Sequence, residues 1–199
     1  MSDTYKYLDP DSIYTDPTTG ILRNLLGITD IDTLVFVESG VTIKRSKELA
    51  TKSLKIKDSL SLLAIHQYLF QDIYAWAGKK RTVEISKGGK QFFPLSHFDT
   101  AFRHIDNLIS EYRLIAKRDR QALAHKLAEI LDSVNFLHPF REGNGRAQRE
   151  FLRHLALEKG LTLNLNPPDN MNFYERYMSG TIDGDVEKLS ALIFELIQQ

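Results

Sequence analysis

Between positions 121 and 136 the apolar residues Leu123, Leu127, Ile130, Leu131 and Val134 fall on one face of a helix, and Pro139 sets where that helix must stop. Apolar side chains three and four apart line up as one stripe at helical pitch. Proline disfavours the helical region for the residue before it. A stripe this broad has to be covered by other elements, so it predicts a helical domain built around it. The same period recurs elsewhere. Leu54, Leu62, Ile65, Leu69 and Ile73 carry it through 43–77, where two helices are expected, the second ending near Trp76-Ala77-Gly78. Phe98, Phe102, Ile105, Leu108 and Ile109 carry it through 97–116. Phe151, Leu152, Leu155 and Ala156 mark a helix that starts near Gly145 and ends at Gly160, a C-cap. Two last helices are expected over 169–179 and 185–197.

One stretch breaks the period. Thr82-Val83-Glu84-Ile85-Ser86 alternates, Lys87-Gly88-Gly89-Lys90 turns, and Gln91-Phe92-Phe93-Pro94 follows, which predicts a β-hairpin over 82–94. Residues 1–42 read as an N-terminal arm with short helices packed on the domain, Thr29 and Asp30 capping one of them. Residues 43–199 read as one all-α domain with the hairpin inserted.

Composition excludes several classes. With 42% hydrophobic residues the chain is expected to be globular. Its 26 basic residues balance 26 acidic ones, which argues against bulk nucleic-acid binding. It has no cysteine, so disulfides and thiolate metal sites are excluded, and a reducing compartment fits. The polar, proline-broken start is not expected to be a secretory leader. No stretch approaches the roughly 20 apolar residues of a membrane helix. A cytoplasmic protein without membrane contact is expected.

Residues 138–149, HPFREGNGRAQR, concentrate the chemistry. They span the end of one helix, a loop, and the start of the next. A helix start exposes unpaired N–H groups and about half a positive charge. Gly143 and Gly145 let the backbone curl and approach a ligand closely. Asn144 can supply an amide or a left-handed turn. Arg146 and Arg149 add forked donors that match phosphate oxygens. Together they form an anion cradle suited to a polyphosphate. His138 is then a candidate general base for a hydroxyl nucleophile. Glu142 is a candidate Mg²⁺ ligand, because Mg²⁺ often takes one or two carboxylates and completes its shell with phosphate oxygens and water. Phe140 is expected to plug into the core and anchor the loop. Singly, a helix-end histidine, a surface ion pair and a Gly-Asn-Gly turn explain these residues as well; together in one window they do not.

His138-Pro139-Phe140-x-Glu142-Gly143-Asn144-Gly145-Arg146-x-x-Arg149 resembles the signature of Fic-domain proteins. His66-x-x-Leu69-Phe70-x-Asp72-Ile73-Tyr74-x-Trp76-Ala77-Gly78-x-x-Arg81 is similar to the helix that leads into that family's flap hairpin, and Lys87-Gly88-Gly89 with Phe92 to the flap itself. The resemblance covers most of 45–197. It implies a helical fold and transfer of AMP from ATP to a Tyr, Ser or Thr hydroxyl of a target protein. By it His138 is the base, Glu142 holds Mg²⁺, Gly143 to Arg146 bind the α- and β-phosphates, and Arg149 binds the γ-phosphate. The flap, Lys87 to Lys90, would hold the target's backbone by strand addition. Tyr174 and Tyr177 are candidates for stacking on adenosine, with core packing the alternative.

Many Fic proteins carry an inhibitory helix with the pattern Ser/Thr-x-x-x-Glu-Gly/Asn, whose glutamate pairs with the arginine matched by Arg149. Here the only glutamate followed by Gly or Asn is Glu142, and the nearest imitation, Ser179 to Gly184, has Asp183 in its place. The resemblance therefore implies a toxin restrained by a separate small antitoxin, either resident in the cytoplasm or delivered to another cell. Transfer of another group (UMP, phosphocholine or phosphate) and a non-catalytic nucleotide-binding module are the competing functions. A metal nuclease is disfavoured by the neutral charge and the lack of a second acidic cluster.

Overall fold

A computed structural model describes residues 6–7, 9, 11–52, 54–87, 89–165 and 171–198. Seven α-helices stand among them: α1 Ile31–Ala50, α2 Ser61–Phe70, α3 Phe98–Leu114, α4 Arg120–Leu137, α5 Asn144–Glu158, α6 Met171–Asp183 and α7 Val186–Leu196. The strands are short: β1 Lys6–Tyr7, β2 Ile85–Lys87, β3 Lys90–Gln91, β4 Thr162–Leu163 and β5 Ile197–Gln198. The expected all-α class holds.

Helix α4 lies at the centre. Its Leu123, Ala124, Leu127, Ala128, Ile130, Leu131, Val134 and Leu137 are all buried. It packs against α7, α3 and α5. Each fully buried Leu or Ile contributes roughly 1.5–3 kcal/mol relative to an exposed one, so this helix fixes the site that hangs from its C-terminal end. Asp119 starts it, its carboxylate accepting from the Ala122 N–H at 3.1 Å.

Three expectations are corrected. The short helices expected in the arm are, over 31–50, one long helix. Asp30 caps one 20-residue helix by accepting from the Thr33 N–H at 2.8 Å, and Gly40 does not interrupt it, so α1 runs across the expected boundary at 42/43. Helix α2 ends at Phe70, before Trp76; the chain then turns, with the Ile73 and Tyr74 N–H groups both donating to the Phe70 carbonyl at 2.9 Å. The hairpin is also not alone. Residues of the arm pair with it as β1, antiparallel to β2, giving a sheet ordered β1-β2-β3.

Candidate active site

The site forms where α4 stops and α5 starts. His138 is the last residue of the α4 cap, at φ 45° and ψ 62°, the left-handed region. That conformation costs a non-glycine residue about 1–2 kcal/mol. It turns a ring that is only 5% exposed toward the cleft beside α5. The ring stacks on Phe92 of the hairpin, centroids 3.8 Å apart. His138 Nδ1 lies 3.0 Å from the Asn135 carbonyl, which can only accept. The proton is therefore assigned to Nδ1, and Nε2 carries the lone pair.

The loop that follows is stapled from beneath. Phe140 is fully buried and stacks on His66 at 3.7 Å, as the expected anchor. His66 accepts the Gly78 N–H at Nδ1 and donates from Nε2 to the Glu142 carbonyl, each at 2.9 Å. Burial pushes the His66 pKa down to about 3, so the ring stays neutral and keeps that tautomer. Helix α5 begins after Gly143, at φ 80°. A Cβ at that position would stand 2.3 Å from the Phe70 ring. Glycine is required there twice over, by torsion and by space.

Two of the expected phosphate ligands are placed differently. The Asn144 side chain is bound at both ends by Phe140: its Oδ1 accepts the Phe140 N–H at 2.9 Å and its Nδ2 donates to the Phe140 carbonyl at 2.8 Å. It is a loop staple. Arg146 turns toward α1. It is ion-paired to Glu38, donates to Thr42 Oγ1 at 3.2 Å, and lies over the Phe70 ring at 4.7 Å. Glu38 in turn accepts from the Tyr74 hydroxyl. The sequence reading missed Glu38, which stands 108 residues away from its partner.

Arg149, the other expected phosphate ligand, faces the cleft. It lines the cleft with His138 and Gly145, and its Nε is buried without a hydrogen-bond partner. A Cβ on Gly145 would come within 3.1 Å of its Nη1, so that glycine leaves the guanidinium its place. Its guanidinium carbon lies 5.7 Å from the centre of the Tyr177 ring. Glu142 accepts the Gly143 N–H at Oε1, 2.9 Å, and its side chain is 31% exposed. No group of three metal-ligating side chains occurs among the described residues. Arg146 Nη2 lies 3.7 Å from the same Oε1, and a partly exposed carboxylate at this loop fits Mg²⁺, which completes its shell with ligand oxygens and water.

The cleft measures about 590 Å³. Tyr177 and Tyr174 both line it, Tyr177 buried with its hydroxyl accepting from Gln148 at 3.0 Å, and Tyr174 56% exposed. Gln148 Oε1 is buried without a partner. In the hairpin, Lys87 pairs with Lys90 across the turn; Gly88 lies outside the described residues, and Gly89 is at φ 82°. The Phe92 N–H donates to the Ile85 carbonyl at 3.1 Å. By the alternation of an antiparallel ladder, the N–H and C=O of Gln91 point away from β2, toward the uncovered edge. No described helix is long and apolar enough to cross a membrane.

Residues 58–156 match the family model described as the Fic/DOC family. Protein adenylyltransferase VbhT of Bartonella schoenbuchensis is 35% identical over 189 residues, covering 94% of this chain and 39% of that protein. Probable protein adenylyltransferase y4lH of Sinorhizobium fredii is 32% identical over 182 residues, covering 91% of this chain and 93% of that one. Probable protein adenylyltransferase Fic of Salmonella typhimurium is 29% identical over 199 residues, covering 100% and 98%. This chain thus spans well under half of VbhT and nearly all of the other two. Among solved structures, BepC of Bartonella tribocorum with bound AMPPNP superposes with a TM-score of 0.82 at 20% identity, covering 94% of this chain and 97% of that one. The N-terminal Fic domain of a Bartonella quintana protein with bound ADP gives 0.81 at 22%, covering 93% and 94%. At those identities the likeness is one of fold.

Proposed function

The chain belongs to the Fic/DOC family, and from that premise we propose that it is a protein adenylyltransferase moving AMP from ATP to a Tyr, Ser or Thr hydroxyl of a target protein. One observation carries the reading: the Nδ1–H of His138 is anchored to the Asn135 carbonyl, so Nε2 is the basic nitrogen, in the cleft where Arg149 Nε has no partner among the described residues. Nε2 takes the proton of the target hydroxyl as its oxygen attacks the α-phosphorus. The bond to the β-phosphate bridge breaks and pyrophosphate leaves. The N–H groups at the start of α5 and the guanidinium of Arg149 hold the phosphates. Glu142 would hold Mg²⁺, which supplies charge neutralisation at the phosphate oxygens. A positioned base contributes roughly 10²–10⁴-fold in rate.

The target would add a strand at β3. The other edge of the hairpin is closed by β1, so Gln91 is the position with main-chain groups to offer. Tyr174 and Tyr177 would flank the adenosine. Restraint would come from a separate antitoxin that supplies a glutamate to Arg149. A second opening of about 690 Å³, bounded by Ser39, Thr42, Ser46 and Lys47 of α1, reaches Arg149 from the other side and supports that reading. We place the protein in the cytoplasm of the cell that makes it or of one that receives it.

The test is incubation with lysate, Mg²⁺ and ATP labelled at the α or the γ position. Protein label is expected from the α position, lost on chelation of the metal and in His138→Ala. Label from the γ position alone would mean phosphorylation. Equal labelling by wild type and His138→Ala would mean a non-catalytic module.

A further inference from the structure

Arg81 carries a formal charge in a place where charge is not what it is used for. Its side chain is fully buried. Among the described residues its acidic contact is Glu84, at 3.1 Å, a side chain 60% exposed to water. Its other donors go to three main-chain carbonyls from three segments. Nη1 donates to Val83, on the segment entering the hairpin, at 2.7 Å. Nη2 donates to Phe93, on the segment leaving it, at 2.5 Å. Nε donates to His138 itself at 2.9 Å. The Arg81 main-chain N–H adds a fourth carbonyl, that of Pro139, at 2.7 Å. The plane of the guanidinium is held 4.9 Å over the Phe98 ring. Burying a cation is costly unless its donors are satisfied, and here they are satisfied by the two ends of the hairpin and by the residue in the left-handed turn.

We propose that Arg81 is a positioning residue that sets the hairpin's free edge at a fixed distance and angle from His138, so that a hydroxyl on a strand added at β3 arrives at Nε2. The proposal rests on the adenylyltransferase reading. Three neighbouring contacts hold the hairpin in the place that Arg81 ties to His138. The hairpin's exit is also tied to α4 through the Phe93 N–H and the Phe136 carbonyl at 3.0 Å. Phe92 stacks on the His138 ring. Glu84, the carboxylate paired with Arg81, accepts from the Leu95 N–H at 3.0 Å and so closes the hairpin base. Lysine cannot replace this fork: its donors radiate from one atom and cannot reach three carbonyls in one plane. The donors of Arg81 go to Val83, Phe93 and His138, and not to Arg149 or the start of α5, where the phosphates would sit.

The experiment compares Arg81→Lys with wild type in two ways. Amide hydrogen exchange is expected to rise together at 85–93 and at 138–140, while binding of a non-hydrolysable ATP analogue changes less than threefold. Transfer to the target is expected to fall at least thirtyfold in kcat/KM, with the KM for ATP unchanged. Wild-type transfer by the variant, or a loss of analogue binding as large as the loss of transfer, overturns the proposal. For a variant that fails to fold, wild type alone decides. The amides of Arg81, Phe92 and Phe93 should exchange as one unit, and a hairpin opening at least a hundredfold more often than Arg81 overturns the coupling. A wild-type protein that moves no AMP to any target counts against the adenylyltransferase reading, while exchange still decides the role of Arg81.

Discussion

Arg146 is bound by Glu38 of α1, not by the cleft that His138 lines, although it stands only three residues before Arg149. The two arginines of one motif therefore do different work. Arg146→Ala strands Glu38, whose side chain is 11% exposed, together with the Tyr74 hydroxyl bound to it. It should cost about 2–3 kcal/mol in urea unfolding, between the surface and fully buried cases. Arg149→Met should leave stability unchanged within about 0.5 kcal/mol, since it removes a buried donor without a partner. The same change should weaken binding of an ATP analogue about tenfold or more, through loss of a charge-assisted contact.

His138 sits in the left-handed region, which asparagine tolerates better than alanine. Both His138→Asn and His138→Ala should lower transfer by roughly 10²–10⁴-fold. They should separate in thermal unfolding, His138→Ala being the less stable by about 1 kcal/mol. Equal unfolding midpoints would show that the torsion is not what the position demands.

Two glycines with nearly the same torsion give a controlled comparison. Gly143 at φ 80° would set a Cβ 2.3 Å from Phe70, whereas Gly89 at φ 82° has nothing within 4 Å. Gly89→Ala should cost about 1 kcal/mol from torsion alone. Gly143→Ala adds displacement of a core ring, a further ~1–3 kcal/mol, and should abolish analogue binding.

Stability should be lost in acid through two buried histidines. Burial holds His66 at about 3; burial, then the charge of Arg153, hold His154 at about 4. Both lie below the ordinary value near 6.5 of the unfolded chain. The unfolded state thus takes up protons first, and the stability present above about pH 6.5 falls as pH drops toward those folded values. Each histidine contributes a slope of up to about 1.4 kcal/mol per pH unit. Unfolding midpoints of wild type and His66→Gln across pH 4–7 check this, the variant having the shallower slope.

The sequence made some of this readable for a physical reason. The α4 stripe, the glycine of the α5 start and the histidine at the helix end are local patterns, visible within one or two turns. Asn144, Arg146 and Glu38 are not. Asn144 is a donor, an acceptor or a staple depending on where Phe140 runs. Arg146 and Arg149 stand only about 60° apart on the helix, and which of them meets an acid depends on a helix that packs from 108 residues earlier. The pairing of β1 with β2 is equally hidden, because two residues hold no period.

Arg149 stands in the wall between two openings, one shared with His138 and one bounded by α1. A single guanidinium reached from two sides is a comparator. On the role proposed for Arg149, a carboxylate entering from α1 and a phosphate entering from the cleft would bid for the same charge, so the potency of any acidic inhibitor should fall as ATP rises. The energy state of the cell would then set how much inhibitor is enough.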